Sequence, residues 1–165
     1  MTDLRIVPAS WDHPDAQRLR AAANAFYVTI YGGPDATPLE ADEFAAPHGG
    51  FVLGYLGDEP VGTAGWRFSP ARIDGARRPA EVKRMFVSEA VRGRGLARRL
   101  LASIEQAAAA AGADWMILET GRPQVAAVAL YRACGYVDIP AFGYYADSDQ
   151  VVCLGKTLGA GQPTS

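Results

Sequence analysis

The middle of the chain constrains the fold more than any other part of the sequence. Residues 81–87 have the composition of a strand, and a loop rich in glycine and arginine leads from them into a helix predicted over residues 95–111. One face of that helix is apolar at three- and four-residue spacing and carries Leu96, Leu100, Ile104 and Ala107. Gly112 is a typical helix end, and residues 115–120 are almost continuously apolar, as in a strand covered on both faces. This segment therefore predicts a β-α-β unit.

Further elements are predicted on both sides of this unit. The helical segments are residues 15–31, 37–44 and 123–134, and the strands are residues 4–8, 51–56, 61–68, 136–139 and 150–158. The predicted order is β-α-α-β-β-β-α-β-α-β-β. We therefore expect an α/β fold, or an α+β fold in the sense of a mixed sheet, with a central β-sheet flanked by helices.

Length and composition indicate one folded domain, which we predict over residues 1–159, with a flexible tail at 160–165. Hydrophobic residues make up 49% of the chain and charged residues 21%, which excludes a disordered protein. Cys134 and Cys153 are expected to be free thiols, and no cysteine or histidine spacing suggests a metal site. No signal sequence or membrane span is apparent, so a cytoplasmic location is expected.

The arginine distribution is more informative than the formal net charge of −2, which favours no nucleic-acid partner. Four arginines occur within eight residues: Arg92, Arg94, Arg98 and Arg99. A basic patch on a mildly acidic protein favours a compact polyanionic ligand, and a solvated helix face is the alternative.

The loop Arg92-Gly93-Arg94-Gly95-Leu96-Ala97 lies between the strand and the amphipathic helix. The first N–H groups of a helix have no partner within it, and the helix dipole is positive there. Glycines allow a phosphate to approach the backbone, so the sequence predicts a phosphate-binding loop. It is not a Walker loop, which needs Gly-Lys-Ser/Thr, nor a dinucleotide fingerprint, because Arg98 replaces the third glycine.

This loop resembles the signature of the GNAT superfamily of acyl-CoA-dependent N-acyltransferases, Arg/Gln-x-x-Gly-x-Gly/Ala after the fourth strand. A later family motif has Asn, then Ala three residues on, Tyr seven residues on, and a final Gly-Phe. The chain matches that spacing with Gln124, Ala127, Tyr131 and Gly135-Tyr136. Gln in place of Asn and Tyr in place of Phe are its departures from the family pattern.

The resemblance implies a GNAT-like fold with acetyl-CoA as co-substrate, no metal, and a homodimer through the C-terminal strands. The CoA pyrophosphate would bind the amides of Arg94, Gly95, Leu96 and Ala97, beside Arg92. The pantetheine would pair with the backbone of Met85 and Val87, where the fourth and fifth strands splay apart, and would pass Gln124 and Ala127. A backbone N–H near Met85 and Phe86 would polarise the thioester carbonyl.

Transfer of the acetyl group to an amine requires a neutral amine and a proton for the departing thiolate. The resemblance implies Tyr131 as the acid, with a packed helix aromatic as the alternative. Glu81, at the start of the fourth strand, is the candidate base, although Lys83 lies on the same strand face and could pair with it. Glu119, near the end of the fifth strand, is the rival candidate.

Phe26, Tyr27, Trp66 and Tyr145 are the candidates to line the acceptor pocket, with core packing as the alternative. The expected reaction is acetyl transfer to a primary amine of a small molecule or peptide, by direct attack in a ternary complex. Two other functions remain open at this point. One is a non-catalytic module that senses acyl-CoA, and the other is a nucleotide- or nucleic-acid-binding protein that uses the arginine patch.

Overall fold

The computed structural model describes residues 3–159, so the tail predicted at 160–165 lies outside the described residues. The strands are β1 (Leu4–Pro8), β2 (Gly49–Leu56), β3 (Glu59–Phe68), β4 (Pro79–Val87), β5 (Trp115–Gly121), β6 (Val137–Asp138) and β7 (Val151–Thr157). The helices are α1 (Pro14–Tyr31), α2 (Leu96–Ala110) and α3 (Val125–Ala133), with single 3-10 turns at Ala41–Phe44 and Glu89–Val91.

The order of elements is the predicted one, and the main difference concerns the helix predicted over residues 37–44. Only its second half is helical, as the 3-10 turn at Ala41–Phe44. Thr37 donates both its backbone N–H and its hydroxyl to Asp35 Oδ1, at 2.9 and 2.7 Å. Asp35 thus forms a local turn with Thr37. Pro38 disfavours helical backbone at the residue before it, and Glu40 is still extended, with φ of −114° and ψ of 143°.

The seven strands form one sheet in the order β1-β2-β3-β4-β5-β7-β6. All neighbouring strands are antiparallel except β4 and β5, which are parallel. That parallel pair is short, because it ends at the register Glu81↔Ile117. Beyond this point β5 continues its pairing with β7 alone. The two central strands therefore separate, and we call the space between them the β4–β5 gap.

Helices cover both faces of the sheet. On one face, α2 buries Leu96, Leu100, Leu101, Ile104 and Ala108 against strands β2, β3 and β4, so Ala108 takes the core position predicted for Ala107. Gly62 on β3 makes room for this helix, since a Cβ there would lie 2.8 Å from Leu100 Cδ1. On the other face α1 packs Ala16 and Leu19 into a second apolar cluster.

Three smaller findings complete the description of the fold. Helix α1 ends at Gly32, whose φ of 82° is the left-handed conformation expected of a helix-terminating glycine. Cys134 and Cys153 are free thiols, as predicted. Within residues 3–159, no helix is both long enough and apolar enough to cross a bilayer.

We predict that Leu100→Ala lowers the free energy of unfolding by about 2–5 kcal/mol, because it leaves a cavity at a fully buried contact between α2 and the sheet. Urea unfolding followed by circular dichroism measures the change. Gln106→Ala, on the exposed side of the same helix, is the control and should shift stability by no more than about 0.5 kcal/mol. Equal losses in both variants would contradict this account of the core.

Candidate active site

A cavity of about 420 Å³ fills the β4–β5 gap, a volume typical of small-molecule sites. Its walls come from α1, the loop after α1, both central strands, the start of α3 and the loop before β7. Six of the residues predicted for the site line it, namely Tyr27, Met85, Glu119, Gln124, Tyr131 and Tyr145. The cavity therefore joins parts of the sequence that are far apart.

A β-bulge in β4 shapes one wall of this cavity. In the pairing of β3 with β4, Thr63 of β3 pairs with Phe86, and Gly65 pairs with Lys83. One residue of β3 lies between these two pairs but two residues of β4 do, so β4 contains one extra residue. Arg84, within that stretch, has a φ of 54°, which non-glycine residues rarely adopt. The hydroxyl of Thr63 donates to the Arg84 carbonyl at 2.7 Å and so holds the bulge.

The bulge also changes which side chains of β4 face α2. Before it, Ala80 and Val82 pack into the core beneath α2, and after it Met85 and Val87 do so. On the edge towards β5, the main-chain groups beyond Glu81 have no strand partner. The carbonyls of Arg84 and Val87 accept from Thr63 and Arg92, and the assignment of Met85 and Phe86 to the thioester remains a prediction.

Three buried charged side chains meet at the start of the gap. The ammonium of Lys83 lies 2.9 Å from Glu81 Oε2 and 3.2 Å from Glu119 Oε1. All three are at most 6% exposed. Behind them, Arg67 on β3 contacts Glu81 Oε1 at 3.4 Å and Glu43 Oε2 at 2.6 Å. Opposite charges therefore alternate from the surface to the cavity.

Glu119 is the end of this series that borders the cavity. Burial raises the pKa of its carboxyl, and the neighbouring charge of Lys83 offsets only part of that effect. Its Oε2 is buried beside Gly143, and a backbone N–H, that of Tyr145, also opposes the rise of this pKa. A carboxyl with a raised pKa that borders a cavity is suited to accept a proton.

Glu81, the first candidate for the base, has a different environment. It does not line the cavity, and both of its oxygens are engaged by Arg67 and Lys83. The alternative considered from the sequence, an ion pair with Lys83 on the same strand face, is confirmed. Arg67 could not be inferred as a partner, because it reaches Glu81 only through the register of β3 with β4.

Tyr131 extends from α3 to the cavity and is buried apart from that contact. Its ring packs edge-on against Tyr136 at 5.7 Å between centroids. Tyr136 is itself held by Glu105, whose Oε2 accepts from the phenol at 2.7 Å. Burial, with a smaller contribution from Tyr27, raises the pKa of the Tyr131 phenol, so it carries its proton at neutral pH.

The predicted phosphate-binding loop forms the start of α2, as expected. Gly93 and Gly95 have φ values of 82° and 81°, so both use the left-handed conformation that glycine adopts readily. Arg92 donates from Nε to the carbonyl of Val87 at 3.2 Å, which attaches the loop to the end of β4. Leu96 is buried in the core, so only its backbone could serve a ligand. Ala97 packs against the same core.

Comparison with known proteins settles the family. The model of the Acetyltransferase (GNAT) family matches residues 16–136. The chain belongs to the GNAT acetyltransferase family.

Individual relatives support this membership to different extents. An IAA acetyltransferase from Azospirillum brasilense is 45% identical over 78 residues, which are 47% of this chain and only 51% of that relative. The structure of a Klebsiella pneumoniae protein classed as an acyl-CoA N-acyltransferase superposes with a TM-score of 0.76 and 27% identity, covering 94% of this chain and 97% of the other. A GNAT acetyltransferase from Elizabethkingia anophelis, crystallised with acetyl-CoA, has a TM-score of 0.65, 17% identity and coverage of 94% and 98%.

Two residues predicted to line the acceptor pocket of this GNAT domain lie elsewhere. Trp66 is buried in the core, edge-on against Phe68 and beside Gly50. The ring of Phe26 lies 5.0 Å below the Arg92 guanidinium, on the side of the phosphate-binding loop. We therefore remove both residues from the candidate acceptor contacts.

Two charged residues of the cavity were missed from the sequence. Asp35 lies in the loop after α1, and its Oδ2 contacts Arg84 Nη1 at 3.0 Å. The phenol of Tyr145 donates to Asp35 Oδ1 at 3.1 Å and accepts from the Ala36 N–H at 2.8 Å. The sequence feature that could have pointed to Arg84 was the charged stretch 81–84 within an otherwise apolar strand.

We predict that the Glu119 carboxyl of this GNAT domain titrates above its ordinary value, because burial disfavours the charged form. Carbon-detected NMR titration of the folded protein measures it. Lys83→Met removes the cation that lowers this pKa, so the titration should move to still higher pH. Lys83→Arg keeps the charge and should leave the titration near the wild-type position. An ordinary value, or one unmoved by Lys83→Met, would refute this description.

Proposed function

We propose that this GNAT domain transfers an acetyl group from acetyl-CoA to a primary amine by direct attack in a ternary complex. The observation that carries the proposal is the cavity in the β4–β5 gap. There a carboxyl with a raised pKa, Glu119, and a protonated phenol, Tyr131, border the same space along an unpaired edge of β4.

The start of α2 is the proposed site for the pyrophosphate of CoA. Two glycines in the left-handed conformation leave the backbone accessible, and a Cβ at either position would meet nothing within 4 Å. The N–H groups of the first turn and the positive end of the helix dipole attract an anion. The acyl end of the same molecule would then run along the open edge of β4 and reach the cavity.

Glu119 is the proposed base, in place of Glu81. An alkylammonium with a pKa of about 10.4 is neutral in only about one molecule in a few thousand at pH 7, so attack requires loss of a proton. Glu119 Oε2 would accept it, directly or through water. Lys83 limits the rise of the Glu119 pKa, and Glu81 with Arg67 keeps that ammonium in place. Glu81 thus becomes a positioning residue.

Attack forms the bond from nitrogen to the acetyl carbon and places negative charge on the carbonyl oxygen. A main-chain N–H of the bulged part of β4 would stabilise this charge. Collapse of the intermediate breaks the bond from carbon to sulfur, and Tyr131 would give its proton to the CoA thiolate. The nitrogen loses two protons in all: Glu119 takes the first before attack, and the second leaves the tetrahedral intermediate and replaces the proton that Tyr131 gives to sulfur. The net products are the amide, CoA thiol and the proton on Glu119, which returns to solvent.

The first prediction concerns binding. Acetyl-CoA should bind the wild-type protein with micromolar affinity in a calorimetric titration, and Arg94→Glu/Gly95→Glu should abolish the signal by placing anions at the start of α2. The matched control is Gly75→Glu/Arg77→Glu, which changes the same residue types, including a glycine with positive φ, in the loop before β4. Loss of binding in the control, or none in the wild type, would contradict the proposed site.

The second prediction concerns turnover. Tyr131→Phe should lower kcat by about 10²–10⁴-fold while acetyl-CoA still binds, since it removes only the proton donor.

Glu119→Gln should slow acetylation of a strongly basic alkylamine more than that of an amine with a pKa near 7.8, about one seventh of which is already neutral at pH 7. Release of CoA thiol, followed with a disulfide reagent, measures both effects. Binding of acetyl-CoA without turnover of any amine would instead favour a sensing module.

A further inference from the structure

Arg84 lies in the wall of the cavity and has hydrogen-bonding capacity that the protein leaves unused. A guanidinium carries five N–H donors, and Arg84 spends one nitrogen on Asp35. Its Nε is buried and has no partner within residues 3–159. A buried donor without a partner is unfavourable unless a ligand or water satisfies the group. The side chain is nevertheless only 11% exposed, so it is held in this position.

The backbone aims Arg84 at the cavity at a conformational cost. Its φ of 54° belongs to the left-handed region, which is disfavoured for a long side chain. The bulge that produces this conformation is held by Thr63, through the bond from its hydroxyl to the Arg84 carbonyl. Backbone strain of this kind persists where the surrounding structure enforces it, and it is concentrated at ligand-binding sites.

Asp35 offsets the charge of Arg84 through one nitrogen but leaves its Nε without a partner within residues 3–159. Burial opposes ionisation of Asp35, but hydrogen bonds from Thr37 and the nearby charge of Arg84 outweigh it, and the pKa of the carboxyl lies below its ordinary value. Its Oδ1 already accepts from Thr37 and from Tyr145. Asp35 therefore acts as a fixed anchor on one nitrogen of Arg84, and the rest of the guanidinium remains available.

A second guanidinium, that of Arg20 on α1, lies near Arg84. Burial, followed by the charge of Arg84, lowers the pKa of the Arg20 guanidinium. Arg20 stacks on Trp11, with the guanidinium 3.9 Å from the ring centroid. Asp12 and Asp35 oppose these two positive charges, so this side of the cavity holds charges of both signs.

We propose that the acceptor is a small amino carboxylate, whose carboxylate binds Arg84 while its amine faces Glu119. This inference rests on the proposed function, since it identifies the substrate class of the same site. Arg84 and Glu119 line one cavity of about 420 Å³, a size that suits a small molecule. Two N–H groups of a guanidinium can donate to the two oxygens of one carboxylate. Arg84 would therefore recognise both the planar shape and the charge of the acceptor's carboxylate.

The test compares amines that differ only in the carboxylate. Wild-type protein is assayed with L-alanine, L-methionine and L-phenylalanine, each beside its carboxamide. The carboxamide amine is the less basic of each pair, so intrinsic reactivity favours the carboxamide, and a preference for the acid must come from the protein. We expect at least one acid to exceed its carboxamide in kcat/KM by about tenfold or more.

The variants assign this preference to Arg84. Arg84→Gln should reduce kcat/KM for the acid by about 10- to 100-fold, mainly through KM, and leave the carboxamide within about threefold. Arg84→Lys keeps the charge without the planar pair of donors and should lose less. Arg77→Gln, at an exposed site in the loop before β4, should change neither. Equal losses for acid and carboxamide in Arg84→Gln, or a wild-type preference for carboxamides, would overturn the proposal.

A binding measurement separates this inference from the proposed function. N-acetyl-L-methionine and N-acetyl-L-methioninamide are titrated into the protein with CoA present, so no turnover is needed. Tighter binding of the carboxylate, lost in Arg84→Gln, supports the Arg84 site even if no amine is acetylated, an outcome that would refute the proposed function alone. Equal binding of the two compounds by the wild type would overturn the assignment of Arg84.

Discussion

The ammonium of Lys83 lies between two buried carboxylates from different strands, and the form of the site depends on this contact. Glu81 and Lys83 belong to β4 and Glu119 to β5, at the level where the parallel pairing ends. Beyond that level no main-chain ladder joins the two strands, and the contact from Lys83 to Glu119 spans the start of the gap. Loss of one partner from a buried ion pair costs about 3–5 kcal/mol, so the strands can separate without becoming independent.

A single extra residue in β4 gives neighbouring positions different tasks. Lys83, before the bulge, belongs to the buried charge cluster, and Arg84 lies across the cavity beside Asp35. After the bulge, Met85 returns to the core beneath α2. Without the extra residue, strict alternation would place Lys83 and Met85 on one face of the sheet. The bulge therefore allows one short strand to supply charge, an open backbone edge and apolar packing within five residues.

Local patterns predicted much of this protein because the forces behind them act over short distances. The periodicity of α2, the glycines of its first turn and the apolar run of β5 each reflect neighbours within a few residues. The prediction failed where a distant contact decided the outcome. Trp66 was expected near the acceptor, but the pairing of β2 with β3 buries it beside Gly50. The helix expected at residues 37–44, by contrast, was shortened for a local reason, because Pro38 disfavours helical backbone at Thr37.

The sequence by itself determined the order of elements, the β-α-β unit and the position of the glycine-rich loop before α2, since each depends on residue type and spacing along the chain. It also indicated that Glu81 and Lys83 share a strand face. Only the tertiary structure decided that Arg67 forms an ion pair with Glu81 and that Glu119 is the carboxyl that borders the cavity. The reason is physical: burial and distance to charges set the ionisation of a carboxyl, and both arise from strand register and helix packing between segments that are remote in the sequence.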